Sequence, residues 1–127
     1  NQVIVWSCTN GSIDDFRQMR QMLGDRRISK DVRFHLYPAS HQSIRDMLSD
    51  DLGMMLTAIG AKISPPSCQA CIGKGPNLLG PQEVGLYTTN RNRKGQHGSA
   101  SSLVYLSGPL VAAASAVTGY ITDPRDL

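Results

Sequence analysis

The chain has 127 residues, 13 lysines and arginines against 10 acidic residues, and a formal net charge of +3. This length fits one domain, residues 1–127, that can bury a core. The small charge is far below what a dedicated nucleic-acid binder spreads over one face, and no apolar run approaches the roughly 18 residues of a membrane span, so we expect neither nucleic acid nor membrane as a partner.

The first part of the chain predicts a strand, a helix and a second strand. Val3–Trp6 is a short, mostly β-branched run, typical of a buried strand, and it ends just before Cys8. Ser12 followed by Asp15 resembles a helix-capping box, and apolar residues at helical spacing follow it. Residues 32–37 alternate in hydrophobicity, which predicts the second strand.

The rest of the chain continues this alternation. Apolar spacing predicts a helix around residue 47 and another over 52–59, for which Ser49 is the candidate N-cap and Gly60 the first residue past the end. Further elements are expected as strands at 61–63, 85–89 and 102–107 and as a helix that begins at Pro109. Strands alternating with helices predict a three-layer α/β domain with a mostly parallel sheet flanked by helices.

Three polar segments follow predicted strands: SCTNG at 7–11, the cysteine segment SPPSCQACIGKGP at 64–76, and TTNRNRKGQHG at 88–98. In open parallel sheets, ligands bind in the crevice beyond the carboxyl ends of the strands. These segments are therefore the candidate functional site. His35, within a predicted strand, is interpreted as a satisfied structural histidine, and the five methionines as core residues.

The cysteines Cys8, Cys68 and Cys71 leave several chemistries open. The C-x-x-C pair fits a redox couple, half of a zinc site, inert buried cysteines, or two of three ligands of an iron–sulfur cluster. An odd cysteine count is awkward for a disulfide framework, which favours a reducing compartment: the cytoplasm or, in a eukaryote, the mitochondrial matrix. A cluster held by three cysteines leaves one iron open to substrate.

Three ordered motifs carry a resemblance that spans nearly the whole chain. They are SCTNGSIDD at 7–15, PPSCQACIGKGP at 65–76, and TTNRN at 88–92 followed by Gly95. Together they resemble the third domain of the aconitase superfamily, and the closing SGPLVAAASAVTGYITDP resembles the isopropylmalate isomerase large subunits within it. The resemblance implies a 4Fe–4S cluster ligated by Cys8, Cys68 and Cys71, with Asn10 and Asn90 beside it.

The resemblance also implies a reaction, the reversible dehydration and rehydration of a hydroxy di- or tricarboxylic acid. Arg91 looks like the arginine that binds a substrate carboxylate. Gln96 stands where the family pattern N-R-N-F-x-G-R has a second arginine, so at this substrate-binding position hydrogen bonding is kept and the charge is lost. Trp6 stands where a glycine is usual, which predicts different packing before Cys8.

In this family the other groups of the active site come from two preceding domains and from a swivelling domain or small subunit. We therefore expect this chain to be a fragment or subunit of a larger enzyme, with those parts as partners and no catalytic residue of its own. The alternative is a diverged domain without independent catalysis that acts as a structural or cluster-dependent binding module.

Overall fold

A computed structural model describes residues 1–6, 11–68 and 70–127. The strands are β1 (Gln2–Val5), β2 (Arg33–Leu36), β3 (Lys62–Ile63), β4 (Val84–Tyr87) and β5 (Leu103–Leu106). The helices are α1 (Ile13–Leu23), α2 (His41–Ser49), α3 (Leu52–Ala58) and α4 (Pro109–Thr118), with 3-10 turns at Ala70–Ile72 and Pro124–Asp126. Within the described ranges, no helix is both long enough and apolar enough to cross a membrane.

The five strands form one sheet in the order β3-β2-β1-β4-β5, and every pairing is parallel. The chain moves from β1 outward to β3, then returns across the sheet to β4 on the other side of β1. Right-handed crossovers in opposite directions place their connections on opposite faces of the sheet. The crevice between the carboxyl ends of β1 and β4 is the switch point where such sheets bind ligands.

The two faces of the sheet carry different layers. Val3 and Val5 point into a core that contains the buried side chains of all four helices. Ile4 points the other way, into a second cluster of apolar residues that is lined by the connecting segments. Its members are Ile4, Trp6, Tyr37, Leu79 and Tyr87, with Cys71 and Val104 packed against them. The predicted α/β fold with a parallel sheet flanked by helices is confirmed.

Local capping explains where two of the helices begin. The predicted capping box of α1 is confirmed: the Ser12 side chain accepts from the Asp15 amide at 3.2 Å, and the Asp15 carboxylate accepts from the Ser12 amide at 3.2 Å. The predicted N-cap of α3 is wrong, because Ser49 is the last residue of α2. Asp50 supplies the acceptor instead, at 3.2 Å from the Leu52 amide.

The methionines are not uniformly core residues as predicted. Met19 and Met47 are buried, at 0% and 1% exposure, because each lies on the helix face that packs on the sheet. Met54 lies on the opposite side of α3 and is 69% exposed. Helical spacing alone does not separate these two environments in a helix as short as α3.

His35 lies buried in the middle of β2, but it is not the satisfied histidine expected. Its Nε2 has no hydrogen-bond partner. Burial, with the nearby charges of Lys62 and Arg33, lowers the pKa of His35 from 6.5 to about 4. A proton on Nε2 would have no hydrogen-bond acceptor in the protein.

Stability should therefore fall in acid through His35. The unfolded chain binds the proton near pH 6.5 and the folded chain only near pH 4, so the contribution is complete above pH 6.5 and is lost as the pH falls toward 4. A shift of this size corresponds to about 3 kcal/mol. Urea unfolding of the wild type and of His35→Gln at pH 7 and pH 4 measures it. An equal pH dependence in both proteins would contradict this assignment.

Candidate metal centre

The carboxyl ends of β1 and β4 are joined at the switch point. The Thr88 amide donates to the Ile4 carbonyl at 3.2 Å, and the Trp6 amide donates to the Thr88 hydroxyl at 2.9 Å. These two hydrogen bonds hold Trp6, the last residue before segment 7–10, against Thr88, the first residue of segment 88–98. The predicted site residues Cys8 and Asn10 lie outside the described residues.

Cys68 and Cys71 lie on one turn that follows β3. The Ile72 amide donates to the Cys68 carbonyl at 3.1 Å, which closes the turn around both cysteines. Cys68 is exposed. Cys71 is half-buried and packs against the second cluster, near the carboxyl ends of β1 and β4. Exposure of Cys68 argues against the reading in which both cysteines are inert core residues.

Leu79, three residues after the cysteine segment, joins that segment to the end of segment 88–98. The Leu79 amide donates to the His97 carbonyl, and the Ser99 amide donates to the Leu79 carbonyl, both at 2.9 Å. This small parallel bridge needs glycine at position 98, because a Cβ there would lie 2.3 Å from the Leu79 carbonyl oxygen and the residue has φ +137°. The two segments therefore form one connected unit beside the sheet.

A group of aromatic side chains packs against this unit. Trp6 stacks on Tyr37 with ring centroids 5.7 Å apart and on His97 at 5.8 Å, and Tyr87 meets both Trp6 and His97 edge-on at 5.1 and 4.9 Å. Burial raises the pKa of Tyr87 to about 12, so it remains a neutral phenol that accepts from the Gln2 amide at 2.9 Å. Trp6 is the central ring of this aromatic group, with contacts to the three other rings.

The predicted residues of segment 88–98 lie in two environments. Asn90 and Arg91 follow β4 after two intervening residues and are exposed, so their side chains are available to a ligand. The His97 ring contacts the Arg91 carbonyl, and its Nε2 lies 3.3 Å from the carbonyl oxygen. Gln96 is half-buried and turns toward the cysteine turn, where its Nε2 donates to the Cys71 carbonyl at 2.9 Å.

The described residues contain no complete metal-binding group. Among them, no three histidine, cysteine, aspartate or glutamate side chains come together in a metal-binding arrangement. The described part of the chain therefore gives no support to a complete zinc site. Through Cys71, the cysteine turn packs against the cluster that contains Trp6, the residue after β1.

Comparison with known proteins identifies the family. The model of the aconitase family (aconitate hydratase) matches residues 1–119. The chain belongs to the aconitase family. Over 98% of its length it is 46% identical to the probable 3-isopropylmalate dehydratase large subunit of Methanosarcina mazei. It is also 44% identical to the 3-isopropylmalate dehydratase large subunit of Herpetosiphon aurantiacus over 98% of its length, and 40% identical to the homoaconitase large subunit of Thermus thermophilus over its whole length. The chain spans about 30% of the length of each of these relatives.

In this aconitase-family chain, the structural role of His97 was not predicted from the sequence. His97 is buried at 2% exposure between Trp6 and Tyr87. The only hint in the sequence is that His97 lies between Gly95 and Gly98 in an otherwise polar segment. Contacts between rings on distant segments leave no local pattern in the sequence, so the sequence alone does not predict them.

Proposed function

We propose that this chain is the cluster-binding domain of an aconitase-like hydro-lyase, with Cys8, Cys68 and Cys71 as ligands of a 4Fe–4S cluster. The observation that carries the proposal is the aconitase-family match over residues 1–119, which includes all three cysteines. Two features of the described residues support it. Cys68 and Cys71 share one turn. Through Cys71, that turn packs against the second cluster, which includes Trp6, two residues before Cys8 in the sequence.

The chain's own residues fit such a group in their chemistry. When bound, a cluster with three cysteine ligands supplies an iron that acts as a Lewis acid toward a hydroxyl group. Cys68 is exposed and so has room to ligate, while Cys71 is held by packing and through its carbonyl. The exposed Asn90 amide is suited to donate a hydrogen bond to a cluster sulfide.

The substrate class proposed is a hydroxy di- or tricarboxylic acid. Two of the relatives are named for isopropylmalate and one for homoaconitate. Arg91 is the proposed carboxylate ligand, because a guanidinium offers two parallel N–H donors to a carboxylate. Its exposure leaves the guanidinium accessible, and the contact between the His97 ring and the Arg91 carbonyl fixes the backbone from which it projects.

We propose further protein parts as partners. The relatives are named large subunits, and the chain spans about 30% of their length. The proposed enzyme therefore needs the preceding domains and a small subunit or swivelling domain, which supply the acid and base groups of the reaction. We place the complete enzyme in the cytoplasm or the mitochondrial matrix, since three cysteines that bind iron require a reducing compartment.

Anaerobic reconstitution with iron and sulfide tests the proposal. The full-length protein should take up about four irons and four sulfides per chain and become brown, with a broad visible charge-transfer absorbance. Dehydration of isopropylmalate, homocitrate or citrate to the unsaturated acid, with release of water, should then be detected after addition of a small subunit from an isopropylmalate dehydratase. A wild-type protein that binds no iron after reconstitution would overturn the proposal.

A second function, a cluster-dependent binding module without catalysis, is favoured by one observation. The position of the second family arginine is taken by Gln96, whose amide bonds to the protein backbone. Iron uptake without dehydration of any of the three substrates, despite a small subunit that is active with a known large subunit, would favour this second function.

The role proposed for Arg91 has a measurable consequence. Arg91→Gln keeps a similar length and hydrogen-bonding groups but loses the charge and the fork geometry, so kcat/KM should fall roughly 10- to 100-fold, mostly through KM. Iron content should not change. Arg93→Gln is the matched control, since Arg93 is an exposed arginine two residues away. Equal losses in both variants would mean that only the general positive charge of the segment matters.

A further inference from the structure

Gln96 makes two hydrogen bonds to the backbone on either side of its side chain. Its Nε2 donates to the Cys71 carbonyl at 2.9 Å, and its Oε1 accepts from the Arg93 amide at 3.1 Å. From this geometry we propose that Gln96 is a positioning residue, which holds the ligand Cys71 at a set place relative to segment 88–98 and does not bind substrate. This inference rests on the proposed function only where Cys71 is called a ligand.

The contact is part of a close approach between two backbones. A Cβ on Gly73 would lie 2.9 Å from the Gln96 carbonyl oxygen, so the turn after Cys71 lies directly against residue 96. Further along, the bridge between Leu79 and Gly98 joins the same two segments. The Gln96 side chain thus makes the contact nearest to Cys71 in a series of contacts between these two stretches of chain that continues to residue 99.

The acceptor atom separates a glutamine from the arginine usual at this position. A guanidinium has five donors and no acceptor, so an arginine at position 96 can satisfy the Cys71 carbonyl but not the Arg93 amide. Glutamine satisfies both. To reach a substrate, Gln96 would have to break both hydrogen bonds and leave a half-buried position, which makes substrate binding by this side chain unfavourable.

The positioning also reaches Arg91. The next residue, His97, stacks on Trp6, and its Nε2 lies 3.3 Å from the Arg91 carbonyl. Through Gln96 and His97 the cysteine turn and the backbone of Arg91 are held to one another by direct contacts. Loosening Gln96 should therefore affect the cysteine turn first and Arg91 less, because the His97 contact remains.

Hydrogen exchange on the metal-free, full-length protein tests the positioning without any cluster. In Gln96→Ala the Ile72 amide, which closes the cysteine turn, and the Arg93 amide should each exchange roughly three- to tenfold faster, the range that one lost part-buried hydrogen bond produces. In Gln96→Glu the Arg93 amide should stay protected, because the carboxylate still accepts, while Ile72 exchanges faster. Lys94→Ala, an exposed truncation in the same segment, is the control and should match the wild type.

The reconstituted protein gives the second readout. Iron loss to a chelator, followed by the decay of visible absorbance, should be three- to tenfold faster in Gln96→Ala and in Gln96→Glu, while KM changes less than twofold. Wild-type exchange and iron loss in Gln96→Ala together with a KM raised tenfold or more would overturn the proposal in favour of substrate binding. Wild-type values in every measurement would overturn it as well. If the wild type takes up no iron, the proposed function fails, and the exchange data alone still decide whether Gln96 positions Cys71.

Discussion

Replacing Cys68 by serine should abolish stable cluster binding while leaving the fold of the metal-free protein unchanged. Cys68 is exposed, so its sulfur contributes little to the core, and a surface change of this kind alters the free energy of unfolding by less than about 0.5 kcal/mol. The serine hydroxyl is a much weaker iron ligand than a thiolate at neutral pH. Iron and sulfide content and visible absorbance after reconstitution measure the first effect, and urea unfolding of the metal-free protein measures the second.

Cys71→Ser should differ from Cys68→Ser in one of these two measurements. Cys71 is half-buried against the second cluster, so a hydroxyl there also costs about 1 kcal/mol of stability in the metal-free protein. Lys74→Ala, an exposed truncation in the same segment, should keep both the iron and the stability. Full iron retention by Cys68→Ser would show that Cys68 is not a ligand.

Trp6→Gly should destabilise the protein by about 3–5 kcal/mol. Trp6 is 1% exposed and stacks on or meets Tyr37, Tyr87 and His97, and removal of a large buried aromatic side chain leaves a cavity as well as lost apolar contact. Glycine adds a further cost, because its backbone loses more conformational entropy on folding. The midpoint of urea unfolding at pH 7 measures the loss, with the slope m unchanged.

Two control substitutions separate packing from a general effect of mutation. Trp6→Phe keeps most of the ring contacts and should cost clearly less than Trp6→Gly. Tyr120→Ala removes an aromatic ring that is 70% exposed and should change stability by less than about 0.5 kcal/mol. A loss below about 1 kcal/mol in Trp6→Gly would show that the aromatic group is not a main source of stability.

Periodicity was enough to predict most of the fold because strands and helices leave different patterns in the sequence. The β-branched run before Cys8, the capping box at Ser12 and Asp15, and Pro109 at a helix start are all local, and each is found where predicted. The exception, Ser49, shows the limit of local reasoning. Two helices follow one another with only Asp50 and Asp51 between them, and several polar residues there were equally suited to cap the second helix.

The environment of individual site residues was less predictable. The Gln96 side chain bonds to a carbonyl 25 residues away, and His35 is buried without a partner for Nε2. Both depend on which segments the topology brings together, and residue type alone does not reveal it. Proximity of the cysteine segment to segment 88–98, by contrast, followed from the rule that parallel strands collect ligand-binding segments at their carboxyl ends.

The central position of β1 determines when this site can form during folding. Its neighbour β4 lies far along the chain: the Trp6 amide and the Thr88 hydroxyl that accepts from it are 82 residues apart. Pairing at such separation is slow, because a long loop must close before any contact is gained. During synthesis, Ile4 and Trp6 lack β4 until it has been made, and the surface against which Cys71 packs is complete only then. Assembly of the proposed metal centre is thus a late event, which follows closure of the sheet.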